Sequence, residues 1–484
     1  MNPLLKNLQI HFHKNDGYTC PIVLNPMRKD EGVIDVGKEM QLSKYRLIAL
    51  LIYAQRHNYS FDDRYELSKI EVRFTNELTL DKLRKNWTKF KDADENKIIA
   101  VVDEWLKNPN SVCNLIVKKF NLNISAKSIL LKRAKRIALA YLQDKILSLP
   151  NYYSYKNFSN GNAEDLEIKD IDKVNQENLK ELIKEIFIDS SHVVTKIHQV
   201  VNFLRIKDED TLLKDINKFD IVEYSNYEKA IRNCIVDNKE KWNKLTKKSA
   251  NYFNPPFIHI KPWNGDKADE KRDFTLDEII ECLPPSTLDY RIYLYDKVEK
   301  KEVLYNRMSS GELQLLQTLS THLYHVRNIM SVNGSRLQYK NINMIFDELE
   351  ICFHPEYQRL FVKKLIDIIT NLKLNKTHSF NITLITHSPF ILSDIPQEKV
   401  MYLKEGRQEE RDGETFSANL GELLESGFFL NGTIGNFASW IINQLIENIE
   451  KGTVSERDRF FVEKIGDSLL KSLLKRKMAK EVLR

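Results

Sequence analysis

The sequence predicts an α/β fold interrupted by a helical insertion domain. Strand-like runs and one helical block alternate over residues 6–75. From about 79 to 250 the texture turns to polar, Lys- and Glu-rich segments with helical spacing and almost no glycine. Strand-like runs then return after Asn254-Pro255-Pro256. Divided at these changes, the 484-residue chain has parts at 1–78, 79–250, 251–410 and 411–484, the last a helical tail. That length exceeds the roughly 100–200 residues of one ordinary domain.

Element by element, residues 8–12, 21–24 and 70–74 read as strands, with a helix over 41–55. Helical spacing recurs over 80–105, 126–147 and 178–204, and the loop from 150 to 162 is the clearest internal hinge. Residues 257–260 open the second α/β stretch. Arg291-Ile292-Tyr293-Leu294-Tyr295-Asp296 and Glu302-Val303-Leu304-Tyr305 bracket a polar turn and form a hairpin. An apolar face at helical spacing follows over 313–330, which puts Ser309 at the helix N-cap.

The charge balance, 74 Lys+Arg against 68 Asp+Glu for a formal net of +6, is too mild over this length to announce a nucleic-acid binder. The five cysteines lie far apart without a C-x-x-C pair, so neither a disulfide framework nor a zinc site is expected, and a reducing cytoplasmic setting fits. No run approaches the roughly 18 apolar residues of a membrane span, and the N-terminus lacks a leader pattern. The expectation is a cytoplasmic protein without a membrane partner.

Three segments carry chemistry. Ser309-Ser310-Gly311-Glu312 at a helix start brings hydroxyls and unpaired backbone N–H groups together where the helix dipole favours an anion, and a phosphate fits there. The same four residues are also a capping box, Ser309 reaching forward and Glu312 reaching back. Asn343-Met344-Ile345-Phe346 reads as a buried central strand ending in Asp347 and Glu348. At the carboxyl end of a strand one acid can hold a magnesium shell while the other orients or deprotonates a water. Asn381-Ile382-Thr383-Leu384-Ile385 is a second buried-strand candidate, delivering Thr386-His387-Ser388 to the sheet edge.

Taken with their continuations, Leu349-Glu350 through His354-Pro355-Glu356-Tyr357-Gln358 and Pro389-Phe390-Ile391-Leu392, these segments resemble the signature motif, Walker B strand, D-loop region and H-loop of the ABC ATPase superfamily. The branch is that of RecF-, Rad50- and SMC-like proteins and the ATPases of bacterial antiphage systems of the Septu and retron-associated type. The resemblance spans roughly 290–430 and implies an ABC-type P-loop ATPase head, a mixed sheet with flanking helices, using ATP and Mg2+. It implies that Asp347 places magnesium, Glu348 activates water and His387 senses the γ-phosphate. Ser309, Ser310, Gly311 and Glu312 would bind nucleotide held mainly by the opposite subunit of a head-to-head dimer. It further implies a homodimer or higher homo-oligomer that controls a separate effector nuclease chain. The alternatives are a RecF/Rad50-like repair ATPase acting directly on DNA and a non-hydrolysing scaffold with the same fold. The segments 414–420, 427–435 and 465–470 also resemble the closing parts of single-chain defence ATPases.

No segment reads as a clean GxxxxGK[ST] phosphate loop. The nearest is Gly32-Val33-Ile34-Asp35-Val36-Gly37-Lys38-Glu39, where Lys38 is the phosphate-binding candidate. Glu39 stands in place of Ser/Thr and three β-branched residues favour a strand instead. Three explanations stay open: a degenerate loop at this position, a chain starting downstream of the true loop, or a fold kept for assembly. Lys132, Arg133, Lys135 and Arg136 suit either a nucleic-acid backbone or a solvated helix face. The chain after His387 has no Asp-x-Asp, and His11 and His13 lack a third metal ligand, so any nuclease is expected on another chain.

Overall fold

The computed structural model describes residues 36–60, 62–74, 77–151, 153–158, 176–189, 191–237, 276–330, 341–372, 379–428 and 434–481. The strands expected at 8–12, 21–24 and 257–260, the pair His11 and His13, residues 32–35 and part of the 150–162 hinge lie outside that set. The chain forms two compact units, Met1–Leu384 and Ile385–Arg484.

The first unit opens with helix α1 (Val36–Arg56), which starts earlier than the sequence suggests and takes Gly37 and Lys38 into its first turn. Every residue from Leu47 to Ala54 is buried. Strand β1 (Tyr65–Arg73) follows, then helices α2 (Glu77–Asn86), α3 (Glu95–Lys107), α4 (Val112–Lys119), α5 (Ile129–Ser148), α6 (Gln176–Ile188), α7 (Thr195–Arg205) and α8 (Glu209–Leu212). Several starts are set by side-chain caps: Asp94, Ser111 and Ser128 accept from the backbone N–H groups of Lys97, Asn114 and Leu131. Helix α5 is buried all round from Ala134 to Asp144, with α3, α4 and α7 among the helices packed on it.

This helical run is not purely helical. Strand β2 (Ile221–Glu223) precedes helix α9 (Tyr224–Asp237) and pairs antiparallel with β1, Val72 opposite Val222. After the short helix α10 (Leu276–Cys282), β3 (Asp289–Asp296) and β4 (Lys301–Leu304) form the expected hairpin. The sheet order is β2-β1-β3-β4, with Ile70 opposite Ile292 and Leu294 opposite Val303.

Helix α11 (Ser310–Met330) lies along α1. Strands β5 (Asn341–Asp347) and β6 (Ser379–Ile385), joined through helix α12 (Pro355–Asn371), form a second sheet, Ser379 Oγ donating to Asn341 Oδ1 at 2.9 Å. Neither strand is buried on both faces as their apolar runs suggest. In β5 only Ile342, Met344 and Phe346 face the core, where Phe346 meets the rings of His322 on α11 and Phe361 on α12. Ile345, on the other face, is 65% exposed, and β6 alternates exposed with half-buried positions.

The second unit holds the short helix α13 (Pro389–Leu392), the ribbon β7 (Tyr402–Lys404) with β8 (Arg407–Glu409), and helix α14 (Leu420–Gly427). Helices α15 (Asn436–Glu450), α16 (Glu456–Lys464) and α17 (Ser468–Glu481) follow and enclose a core of Ile441, Leu445, Ile449, Val462, Leu474 and Met478. Among the described residues no helix is long and apolar enough to cross a membrane.

Candidate active site

The start of α11 is built by its own sequence. Glu312 N donates to Ser309 Oγ at 3.4 Å and Ser309 N donates to Glu312 Oε2 at 2.9 Å, the reciprocal capping box. Ser309 and Ser310 are exposed, while Gly311 and Glu312 are buried. Two hydroxyls thus stand at the positive end of a 21-residue helix.

Gly311 has no room for a side chain. A Cβ there would stand 2.8 Å from Cys352 O and 3.5 Å from His354 N. The backbone that follows the Asp347-Glu348 pair therefore lies directly on the first turn of α11, and only glycine permits that approach.

Asp347 ends β5 and Glu348 follows it, both exposed. Glu348 sits at φ 46° and ψ 41°, a left-handed conformation that costs a residue with a Cβ on the order of 1 kcal/mol. The kink lets the chain leave the strand in a 3₁₀ turn, Leu349–Cys352, which runs to His354, the cap of α12. The strand end thus presents two adjacent, exposed carboxylates. Hard carboxylate oxygens of this kind suit magnesium.

Behind these residues lies a network that joins Glu312 and Tyr357 of the sequence motifs to Arg64, Tyr65 and Asp296, which the motifs do not include. Glu312 Oε1 accepts from Tyr65 OH at 2.7 Å, Arg64 Nη1 at 3.0 Å and Tyr357 OH at 3.3 Å. Burial opposes ionisation of Glu312. Hydrogen bonds from Tyr65 and Ser309 and the Arg64 charge nevertheless hold its carboxyl below the ordinary range. Arg64 also reaches Asp296 Oδ2 through Nε at 3.0 Å and Nη2 at 2.7 Å. The other oxygen of Asp296 caps the hairpin turn, accepting from the N–H groups of Val298 and Glu299. That arginine, first among the causes, depresses the Asp296 carboxyl to about 2. On the opposite side Lys364 of α12 pairs with Asp63 at 2.9 Å and Asp62 at 3.4 Å. The sequence signal for this network was the run Asp62-Asp63-Arg64-Tyr65 just before a strand, too short to announce partners so far along the chain.

Of the remaining candidates, His387 lies in the second unit. It is exposed between Thr386, whose Oγ1 accepts from Ser388 N at 2.9 Å, and Ser388, which caps α13. Lys38 lies in the first turn of α1, so Gly37 and Lys38 open a helix and do not belong to a hairpin strand.

The basic segment of α5 is divided: Lys132 and Arg133 are exposed, as a solvated face would have them, whereas Lys135 and Arg136 are buried. Lys135 is fully buried, its ammonium donating to the carbonyls of Asn123, Ser125 and Ile206 at 2.8, 3.2 and 2.9 Å. Arg136 is buried against Asp103 and Ile124 O, and Arg133 pairs with Glu95. Lys135 and Arg136 thereby hold residues 123–125 in place, and Lys132 remains exposed.

An exposed serine pair caps a long helix and two acids stand at a strand end within a mixed α/β frame, an arrangement that fits an ATPase of the AAA/ABC P-loop type. The family model described as an AAA ATPase domain matches residues 20–392, and the chain belongs to that family. Membership implies nucleotide binding. No curated protein matches the chain.

Proposed function

We propose that this chain is an ATP-binding and ATP-hydrolysing subunit of an antiphage defence complex, dimerising through its ATPase heads and controlling a separate effector nuclease. One observation supports the hydrolytic part above others. Glu348 is held exposed in a strained left-handed conformation at the end of β5, beside Asp347. Eight other described non-glycine residues share a positive φ, in turns or bends, and Glu348 differs from them in following directly on a strand end beside a second acid. In this reading Asp347 holds the magnesium of the bound nucleotide and Glu348 takes the proton of the attacking water. Ser309 and Ser310, with the helix N-terminus behind them, receive phosphate oxygens of a nucleotide presented by a second copy. His387 contacts the γ-phosphate and Lys38 the phosphate chain. Bound magnesium supplies charge neutralisation of the phosphates.

The defence role draws its support from the resemblance of the Asp347–Gln358 and Thr386–Leu392 runs and of the closing segments. The reading in which the chain loads directly on DNA has less support, because Lys135 and Arg136 are buried.

Glu348→Gln tests the reading. The variant is expected to bind MgATP, lose at least about 100-fold of turnover and accumulate as a dimer by light scattering. Turnover equal to the wild type removes Glu348 from the mechanism. The effector arm is tested by affinity purification from the source cells, where a nuclease chain is expected to co-purify and its absence counts against the complex.

A further inference from the structure

Both oxygens of Glu312 already have protein donors: Ser309 N on Oε2, and Tyr65 OH, Arg64 Nη1 and Tyr357 OH on Oε1. The donors come from three stretches, namely the cap of α11, the start of β1, and the first turns of α12. We propose that Glu312 and Tyr357, backed by Arg64, are positioning residues that fix the exposed Ser309 and Ser310 relative to the exposed Glu348. The inference rests on the hydrolytic reading above.

The path between the two ends is short and stiff. From Glu348 the chain makes one 3₁₀ turn, buries Phe353 against Phe361 at 5.8 Å between ring centroids, and caps α12 at His354. Tyr357 N donates to His354 O at 2.8 Å, so its phenol projects from the first turn of that helix. Burial, with the Glu312 charge beside it, pushes the Tyr357 phenol up to about 12, which keeps it a donor at neutral pH.

A second, independent contact lies one residue away, where Gly311 meets Cys352 O with no space for a Cβ. One hydrogen bond alone would leave the helix end free to rotate about it. A hydrogen bond and a backbone contact on neighbouring residues remove that freedom. Arg64 completes the device. Asp296 holds its guanidinium from two nitrogens, so it meets Glu312 at a fixed angle, and Tyr65 lies beneath it at 5.0 Å.

Tyr357→Phe in the full chain keeps the ring and removes only the donor. It is expected to lower kcat for MgATP by about 2- to 10-fold, the effect of one hydrogen bond, with KM within about twofold and the melting temperature unchanged. Combined with Glu312→Gln, the loss is expected to be less than the product of the two single losses. A raised KM with unchanged kcat, or strict multiplicativity, overturns the proposal.

The second arm needs no turnover. In amide exchange of the nucleotide-free full chain, Tyr357→Phe is expected to speed exchange over residues 309–314, which lie on a different element. Unchanged exchange there overturns the inference. A wild type that does not hydrolyse ATP overturns the hydrolytic reading, and the exchange arm then decides this one.

Discussion

At the scale of single residues, backbone geometry distinguishes the two candidate motifs. Gly311 is required by a steric fact, a carbonyl 2.8 Å from where its Cβ would be. Glu348 is the reverse case, a residue whose Cβ is tolerated in a conformation that favours glycine. Glu348→Gly is therefore expected to stabilise the fold by up to about 1 kcal/mol while turnover is lost, the exchange of stability for activity found where strain serves chemistry. Urea unfolding and an ATPase assay on the same preparation measure both. Destabilisation by this substitution would mean that the left-handed turn is held by contacts of the glutamate side chain and carries no stored strain.

Among the elements, α5 shows how a charge pattern misleads. Its cluster of Lys and Arg reads from sequence as a surface, because nothing local marks which cations have carbonyls waiting for them. The carbonyls lie on 120–125 and at Ile206, and the latter is distant in sequence. Lys135→Met removes an ammonium that fills all three of its hydrogen-bond positions with backbone oxygens, leaving those oxygens buried. The expected cost is about 3 kcal/mol or more, read from the urea midpoint. Lys132→Met, at the exposed neighbour, is expected to change stability by less than about 0.5 kcal/mol. Equal effects would show that the burial of Lys135 contributes nothing to folding. The same contrast explains what was legible in the sequence. The hairpin of β3 and β4, the Ser309 cap and the strand ending at Asp347 are local patterns, written within a few residues, and the structure has them. Strand β2 is only Ile221–Glu223, too short for periodicity, and exists because β1 offers it a partner. The Glu312 network was illegible for the same reason, since Arg64, Asp296 and Tyr357 come together only after the sheet and α12 are in place.

For the molecule as a whole, stability of the first unit is tied to the ionisation of carboxylates beside its candidate site. Asp296 has its carboxyl depressed to about 2 by Arg64, and Glu312 is also held below its ordinary range. A folded-state value below the unfolded one means that the unfolded chain binds more protons in the interval between them. The stabilisation is therefore complete above the unfolded value of about 4 and is lost as pH falls toward 2. Asp296→Asn deletes the titrating group and keeps Oδ1 for the hairpin-turn N–H groups, while an amide NH2, itself a donor, replaces the oxygen that Arg64 held. The variant is expected to be less stable than the wild type at pH 7, because Arg64 loses its charged partner. It is also expected to show a shallower fall in unfolding free energy between pH 4 and pH 2, so the two curves converge in acid. Parallel curves over that interval would show that Arg64 and Asp296 do not form the pair on which the start of β1 and the turn after β3 depend. Convergence would extend to Glu312, whose carboxylate shares the same guanidinium. Acid would then weaken the cap of α11 together with the hairpin, and with it the contacts that hold the serine pair.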